Sequence, residues 1–244
     1  MKRQAWLAAL LLFLLTVIVR LPARWVLPMM SGTLSCEDAG GSIWHGSCER
    51  LVVADTTLGP VSWTLHALPL LIGRLDAQVN SGDAHLPGHA RVTLRSGGRV
   101  DAHALSAQLA LSSNLLPGFP EGWQGRVRLD LITLGFEAGR LQSLQGTVDV
   151  DSLAQLSPPM ALGSYQLHFE RAADAAGAIA GTLRDTAGPL SVAGTVQYTA
   201  QGGYEINGTV MARADATPEL SRAIEALGAV DAAGRRPFSL AGTF

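Results

Sequence analysis

Hydrophobic and polar residues follow two different patterns along this 244-residue chain. The first is a continuous apolar run. Lys2 and Arg3 precede it, and residues 5–19 carry no charge and a single hydroxyl, Thr16. Arg20, Pro22, Arg24, Trp25 and Pro28 follow. Beyond about residue 30 the pattern becomes an alternation of period two, which marks half-buried strands. Val61, Trp63 and Leu65 point one way while Ser62, Thr64 and His66 point the other. The alternation returns at 74–79, 90–95, 126–131 and 165–170, with weaker forms at 100–111, 148–150 and 204–211. Two half-strands flank Gly194, and Phe238, Leu240 and Phe244 finish the chain. Before these lies a predicted hairpin, with strands over 33–36 and 42–53 around a glycine-rich turn at 39–41. Residues 67–72 form a short apolar run interrupted by Pro69.

One later segment has helical spacing. Thr217 can cap it, Pro218 suits the first helical position, and Glu219 complements the helix dipole. Leu220, Ala223, Ile224 and Leu227 then share a face, and Gly228 is a natural stop. No strand–helix–strand unit is visible. The pattern predicts an all-β protein: an N-terminal transmembrane helix followed by a large antiparallel meander sheet, with one short helix near the C-terminus. That sheet is either a curved sheet or a two-layer sandwich. The predicted division is a cytoplasmic tip at 1–4, a transmembrane anchor and neck at 5–27, and an exported β domain at 28–244. The connector 115–123 carries Pro117, Pro120, Phe119 and Trp123 and is a candidate internal boundary.

The apolar run has two readings. A membrane-spanning helix needs roughly 20 apolar residues. The run reaches that length if Arg20 snorkels and Leu21, Ala23, Val26 and Leu27 extend it. Trp6 and Trp25 then sit near opposite interfaces, where indoles are favoured. Trp6, Leu10, Phe13, Val17 and Val19 are the expected anchor residues. A cleaved signal peptide also starts with basic residues and an apolar core. Its cut site would need small residues, and Leu21-Pro22-Ala23 before Arg24 supplies a poor one. The uncleaved anchor is therefore preferred. Lys2 and Arg3 place the N-terminus in the cytoplasm and export the body.

Composition narrows the chemistry. The net charge is −2 and no basic stripe appears, so nucleic acid is not an expected partner. The two cysteines, Cys36 and Cys48, would be joined in an oxidising compartment. No nucleophile elbow, zinc-protease motif, phosphate loop or Cys-x-x-Cys pair is present. His85 and His89 have helical ligand spacing, but Pro87-Gly88 between them forbids a helix, and with His103 they read as polar sheet positions. Neither Glu37-Asp38 nor the Asp149/Asp151 pair has the setting of a general acid and base. No catalytic residue, metal or cofactor is expected.

Certain residues also carry a family likeness. Gly41-Ser42-Ile43-Trp44-His45-Gly46 is followed by Leu58-Gly59-Pro60-Val61-Ser62-Trp63-Thr64-Leu65 and Pro69-Leu70-Leu71-Ile72-Gly73. Leu162-Gly163-Ser164-Tyr165, Gly188-Pro189-Leu190, Ala212-Arg213-Ala214, the helix after Thr217, Asp231 and Gly234-Arg235 come later. In this order and spacing the chain resembles protein N of the type II (general) secretion pathway over nearly its whole length. The resemblance implies a single-pass bacterial inner-membrane protein with a periplasmic body, not an enzyme. It would be an accessory part of the apparatus that exports folded proteins across the outer membrane. Its implied partners are other proteins of that apparatus, with the secretin and the inner-membrane platform as candidates. Phe119 and Trp123 form the candidate interaction surface. The alternative is a membrane-tethered periplasmic β module that binds or transfers lipid or glycolipid.

Overall fold

The computed structural model describes residues 6, 13, 16–26, 34–53, 56–83, 87–111, 122–170, 178–199 and 202–243. The chain divides into two compact units, residues 1–93 and 94–244. Leu10 and Phe119 lie outside the described residues, as do the candidate boundary residues before Gly122. Among the described residues no helix is long and apolar enough to cross a membrane. Trp6 and Phe13 are helical and exposed, and residues 16–19 are helical with Val17 and Val19 exposed.

Unit 1 opens with the single-turn helix α1 (Ala23–Val26) and continues in β1 (Leu34–Gly41), β2 (His45–Val53) and β3 (Thr56–His66). A 3-10 helix, Leu68–Ile72, precedes β4 (Arg74–Ser81), and β5 (Gly88–Arg95) carries the chain towards unit 2. Each strand from β1 to β4 pairs antiparallel with the next. The first turn falls at residues 42–44, three residues later than the glycine pattern suggests. Ala39, Gly40 and Gly41 instead pair with Cys48, Ser47 and Gly46, and the Ser42 N–H closes the turn on the His45 carbonyl at 2.9 Å. Gly40 stays in the ladder with β2, while Gly41, at φ 77°, takes the left-handed conformation that leads into the turn. A disulfide joins Cys36 to the buried Cys48, with Cα atoms 5.8 Å apart.

Unit 2 is a longer meander: β6 (Arg99–Leu111), β7 (Trp123–Glu137), β8 (Arg140–Leu156), β9 (Pro159–Phe169), β10 (Ile179–Ala187), β11 (Leu190–Tyr198), β12 (Gly203–Ala212) and β13 (Arg236–Thr243). The helix α2 (Pro218–Glu225) lies between the last two strands. Strand order follows chain order, and the described strands of this unit form one sheet. The two half-strands expected around Gly194 are one continuous strand, β11, because Gly194 pairs with Gly208 and leaves the ladder unbroken.

The period-two pattern becomes two cross-strand ladders. On one face Leu129 pairs with Val148, Val148 with Leu167, and Leu167 with Leu183. Further along, Val196 pairs with Ile206 and Ile206 with Leu240. On the other face Arg128, Asp149, Gln166 and Arg184 stand in register. Gln166 Nε2 donates to Asp149 Oδ1 at 2.7 Å, and Arg184 Nε donates to Gln166 Oε1 at 3.0 Å. Exposed pairs of this kind contribute roughly 0–1 kcal/mol each. They mark the wet face, while apolar burial holds the unit together.

The core sits at two places on the apolar face. Leu141, Phe169, Ile179 and Val196 form one buried cluster, with Ile179 at 0% exposure. Leu141 of β8 and Ile179 of β10 share this cluster although β9 lies between their strands, with Phe169 of β9 completing it. Leu190, Val192, Val210 and Leu220 form the other cluster. Leu220 belongs to α2, and Thr217 caps that helix by accepting from the Leu220 N–H at 3.3 Å. Near the start of β6, Asp101 is 5% exposed and held between the Nε atoms of Arg95, the last residue of β5, at 3.2 Å, and Arg99, at 3.0 Å.

Tyr165 packs against the α2 cluster, and its hydroxyl donates to the Leu162 carbonyl at 2.6 Å. Burial and the Asp185 carboxylate push its pKa up to about 12, against a smaller opposing pull from Arg213. Asp185 itself accepts from the Val192 N–H at 2.7 Å and pairs with Arg213.

Two expectations follow from this packing. Replacing both Cys36 and Cys48 by alanine removes a cross-link closing a loop of about 13 residues and lowers the unfolding free energy by about 3 kcal/mol. Urea unfolding of the full chain in detergent measures it, and adding a reductant shifts the native transition but not the variant's. The raised Tyr165 pKa means that the folded state holds this proton more tightly than the unfolded chain. Its stabilisation is complete below pH 10.0 and fades as pH rises through about 12. Ultraviolet titration should show a late phenolate step that is absent from Tyr165→Phe.

Candidate functional site

The residues of interest converge at the end of unit 1 where the N-terminal segment meets the first hairpin. Residues 16–19 are helical, and helix ends leave carbonyls without intrahelical partners. Here the Ile18 carbonyl accepts from the Trp44 indole Nε1 at 2.9 Å, and from the Leu21 N–H at a longer 3.4 Å. The Ile43 N–H donates to the Leu21 carbonyl at 3.0 Å, and Pro22 forms a single antiparallel bridge with Ser42. Ala23, the first residue of α1, is buried here. The neck of the chain is thus tied by its backbone to the β1–β2 turn.

That turn is fixed from behind by a second indole. Trp63 Nε1 donates to the Ile43 carbonyl at 3.1 Å, and its ring lies across Gly46. A Cβ on Gly46 would come within 2.3 Å of the ring, so any side chain there forces the indole to move. The Trp44 carbonyl then accepts from the Leu65 N–H at 2.7 Å. These contacts give physical meaning to the spacing Gly41-Ser42-Ile43-Trp44-His45-Gly46 and to the tryptophan of Val61-Ser62-Trp63. Periodicity alone reads Trp63 as an inward strand residue. That Trp44 holds the neck was not legible, because its partner is a backbone carbonyl far back in the chain.

The sheet offers a second surface. β13 pairs with β12 on one side only, so its other edge is open among the described strands. Leu240 on this strand is exposed, and Pro237 lacks an N–H to offer. Beside α2, an open hollow of about 250 Å³ is lined in part by Arg213, Ile224, Val230 and Arg236. Both guanidinium groups are already bonded to protein oxygens: Arg213 to Asp185 and the Gly188 carbonyl, Arg236 to the Gly228 carbonyl. Trp123 opens β7, half-buried and in register with Gln155.

The titratable side chains singled out in the sequence are dispersed. His89 lies on β5 and His103 on β6. Glu37 and Asp38 are on β1, while Asp149 and Asp151 are on β8. Asp149 is bonded to Gln166 and Asp151 to Arg128. Among the described residues no group of three or more histidine, cysteine or acidic side chains is gathered as a metal site would require.

Comparison with known proteins gives this arrangement its context. The family described as Type II secretion system (T2SS), protein N, matches residues 32–239. A curated relative, Type II secretion system protein N of Vibrio cholerae serotype O1 (strain ATCC 39315 / El Tor Inaba N16961), is 30% identical over 160 residues. That match covers 62% of this chain and 62% of the relative, so the chain spans less than two thirds of the relative's length. No solved structure matches the chain. The family match reaches into both units, including the Trp44–Gly46 turn, Trp63, α2 and the first half of β13, and the chain belongs to the type II secretion system protein N family.

Proposed function

We propose that this protein is an accessory inner-membrane component of the type II secretion apparatus, held by an uncleaved helix over 5–27 and acting through periplasmic protein–protein contact. Its class, a component of a secretion system of the bacterial envelope, follows from the family. The tethered topology rests on the uncharged apolar run, the basic residues before it and the poor cut site after it. The observation that carries it is the docking of the neck. Ile18 and Leu21 are hydrogen-bonded to Trp44 and Ile43, so the end of the apolar run is tied directly to the first hairpin of the body. The Cys36–Cys48 bridge suits an oxidising compartment. Partner contact is assigned to the open edge of β13, which can accept a strand, and to the Phe119/Trp123 connector. The role is not enzymatic in this reading: His89, His103, Asp149 and Asp151 lie dispersed over β5, β6 and β8.

A second reading has one observation in its favour. Val127, Leu129, Val148, Leu167 and Leu183 on the apolar face of unit 2 are only half-buried, and Leu240 at its margin is exposed. Among the described residues α2 covers only one end of that face. A tethered module that binds or transfers lipid or glycolipid would use such a face.

Photo-crosslinking in cells from Leu240 and from Trp123, followed by partner identification, separates the two. Adducts with another secretion component, the secretin or the inner-membrane platform, are expected. Protein adducts absent from both positions, together with lipid retained on the gently extracted protein by mass spectrometry, would favour the second reading over the first.

A further inference from the structure

We infer that the turn between β3 and β4, the apolar 3-10 helix Leu68–Ile72, inserts into the surface of the bilayer that holds the N-terminal anchor. This rests on the tethered reading proposed above. Leu68, Leu71 and Ile72 are 80, 84 and 71% exposed, and Leu70 is exposed as well. The turn is nevertheless well formed. Leu70 N–H donates to the Ala67 carbonyl at 3.2 Å, and the Gly73 N–H donates to the Leu70 carbonyl at 3.1 Å. Gly73 closes it in the left-handed region, at φ 72°. The backbone therefore holds the side chains outward while no core takes them in. Connections on a wet surface are ordinarily polar, and clustered exposed apolar side chains mark a contact surface.

The position of the turn selects lipid as the occupant. Trp44 joins it to the neck within a single residue: its carbonyl holds Leu65, just before the turn, and its indole holds Ile18. Ile18, Val19 and Trp25, on the neck itself, are also exposed. The apolar run and the apolar turn thus leave the same end of unit 1. Arg20, Arg24 and Arg74 flank them, and residues 16–26 and 67–75 contain no acidic residue. Apolar tips ringed by arginine, with a tryptophan at the margin, suit the interface of an anionic membrane. A second, rigid point of contact beside the helix would fix the tilt of the body, which a single helix leaves free to rotate.

The test uses the full chain. The cysteines of the described structure are both in the disulfide, so one introduced thiol can be labelled alone. Leu71→Cys, Phe13→Cys and Asn80→Cys carry an environment-sensitive fluorophore in bilayers of phosphatidylethanolamine and phosphatidylglycerol with doxyl-labelled acyl chains. Phe13 reports the tether, and Asn80 is an exposed site at the far end of the β3–β4 hairpin. The expected result is a several-fold larger loss of emission at Phe13 and Leu71 than at Asn80, with a blue shift at Leu71. Leu68→Cys should repeat the Leu71 result. Quenching at Phe13 with none at Leu71 or Leu68 overturns the inference and leaves the tether standing. A Leu71 shift that depends on protein concentration without lipid quenching assigns the turn to a second copy and overturns it too. Absence of quenching at Phe13 removes the tether, and the inference falls with it.

Discussion

The indole of Trp44 reaches back 26 residues to the Ile18 carbonyl, at the end of a helical stretch where the only local donor is the Leu21 N–H at 3.4 Å among the described residues. Much of unit 1 is arranged around that bond. Trp63 braces the turn that carries Trp44, Gly46 leaves room for the Trp63 ring, and the Cys36–Cys48 bridge ties β1 to β2 behind it. Each element is modest alone, on the order of 1 kcal/mol for a hydrogen bond. Together they turn the exit of the N-terminal segment into a built junction. The first unit is best understood as a collar around the neck.

Unit 2 works under a different constraint. It is a meander of long strands with one apolar face, and an uncovered apolar face is costly in water. One buried cluster gathers Leu141, Phe169 and Ile179 from three neighbouring strands, and α2 covers the other with Leu220. Beside these clusters the apolar ladder remains half-buried, and β13 leaves an edge open among the described strands. A sheet that stops short of sealing itself has two surfaces for binding, its edge and its face. This is why the same architecture suits a protein-contact role and a lipid-contact role. The family places the chain within a secretion system, which weights the edge.

Much of this was legible from residue patterning. Period-two alternation locates β3, β4, β5, β7, β9 and β12 because a half-buried sheet needs an apolar and a polar face. The α2 cap is visible because Thr217-Pro218-Glu219 is local chemistry. What stayed hidden is non-local. The first turn moved from 39–41 to 42–44 because Ala39 and Gly40 pair with β2, and Gly41, left-handed at φ 77°, starts the turn instead of centring it. β11 continued through Gly194 because its partner there is another glycine. The run at 67–72 has no period to read, and its exposure depends on where the hairpin ends, which only the fold decides. The Trp44–Ile18 bond joins residues 26 apart through a backbone atom, and side-chain identity carries no record of it.

The central claim is that the collar sits on a helix that stays in the membrane. N-terminal sequencing of the protein extracted from the membrane fraction tests it most directly. The account predicts that the apolar run of residues 5–19 is retained in the mature chain. A mature N-terminus near Arg24, with the body recovered free of the membrane, would contradict it.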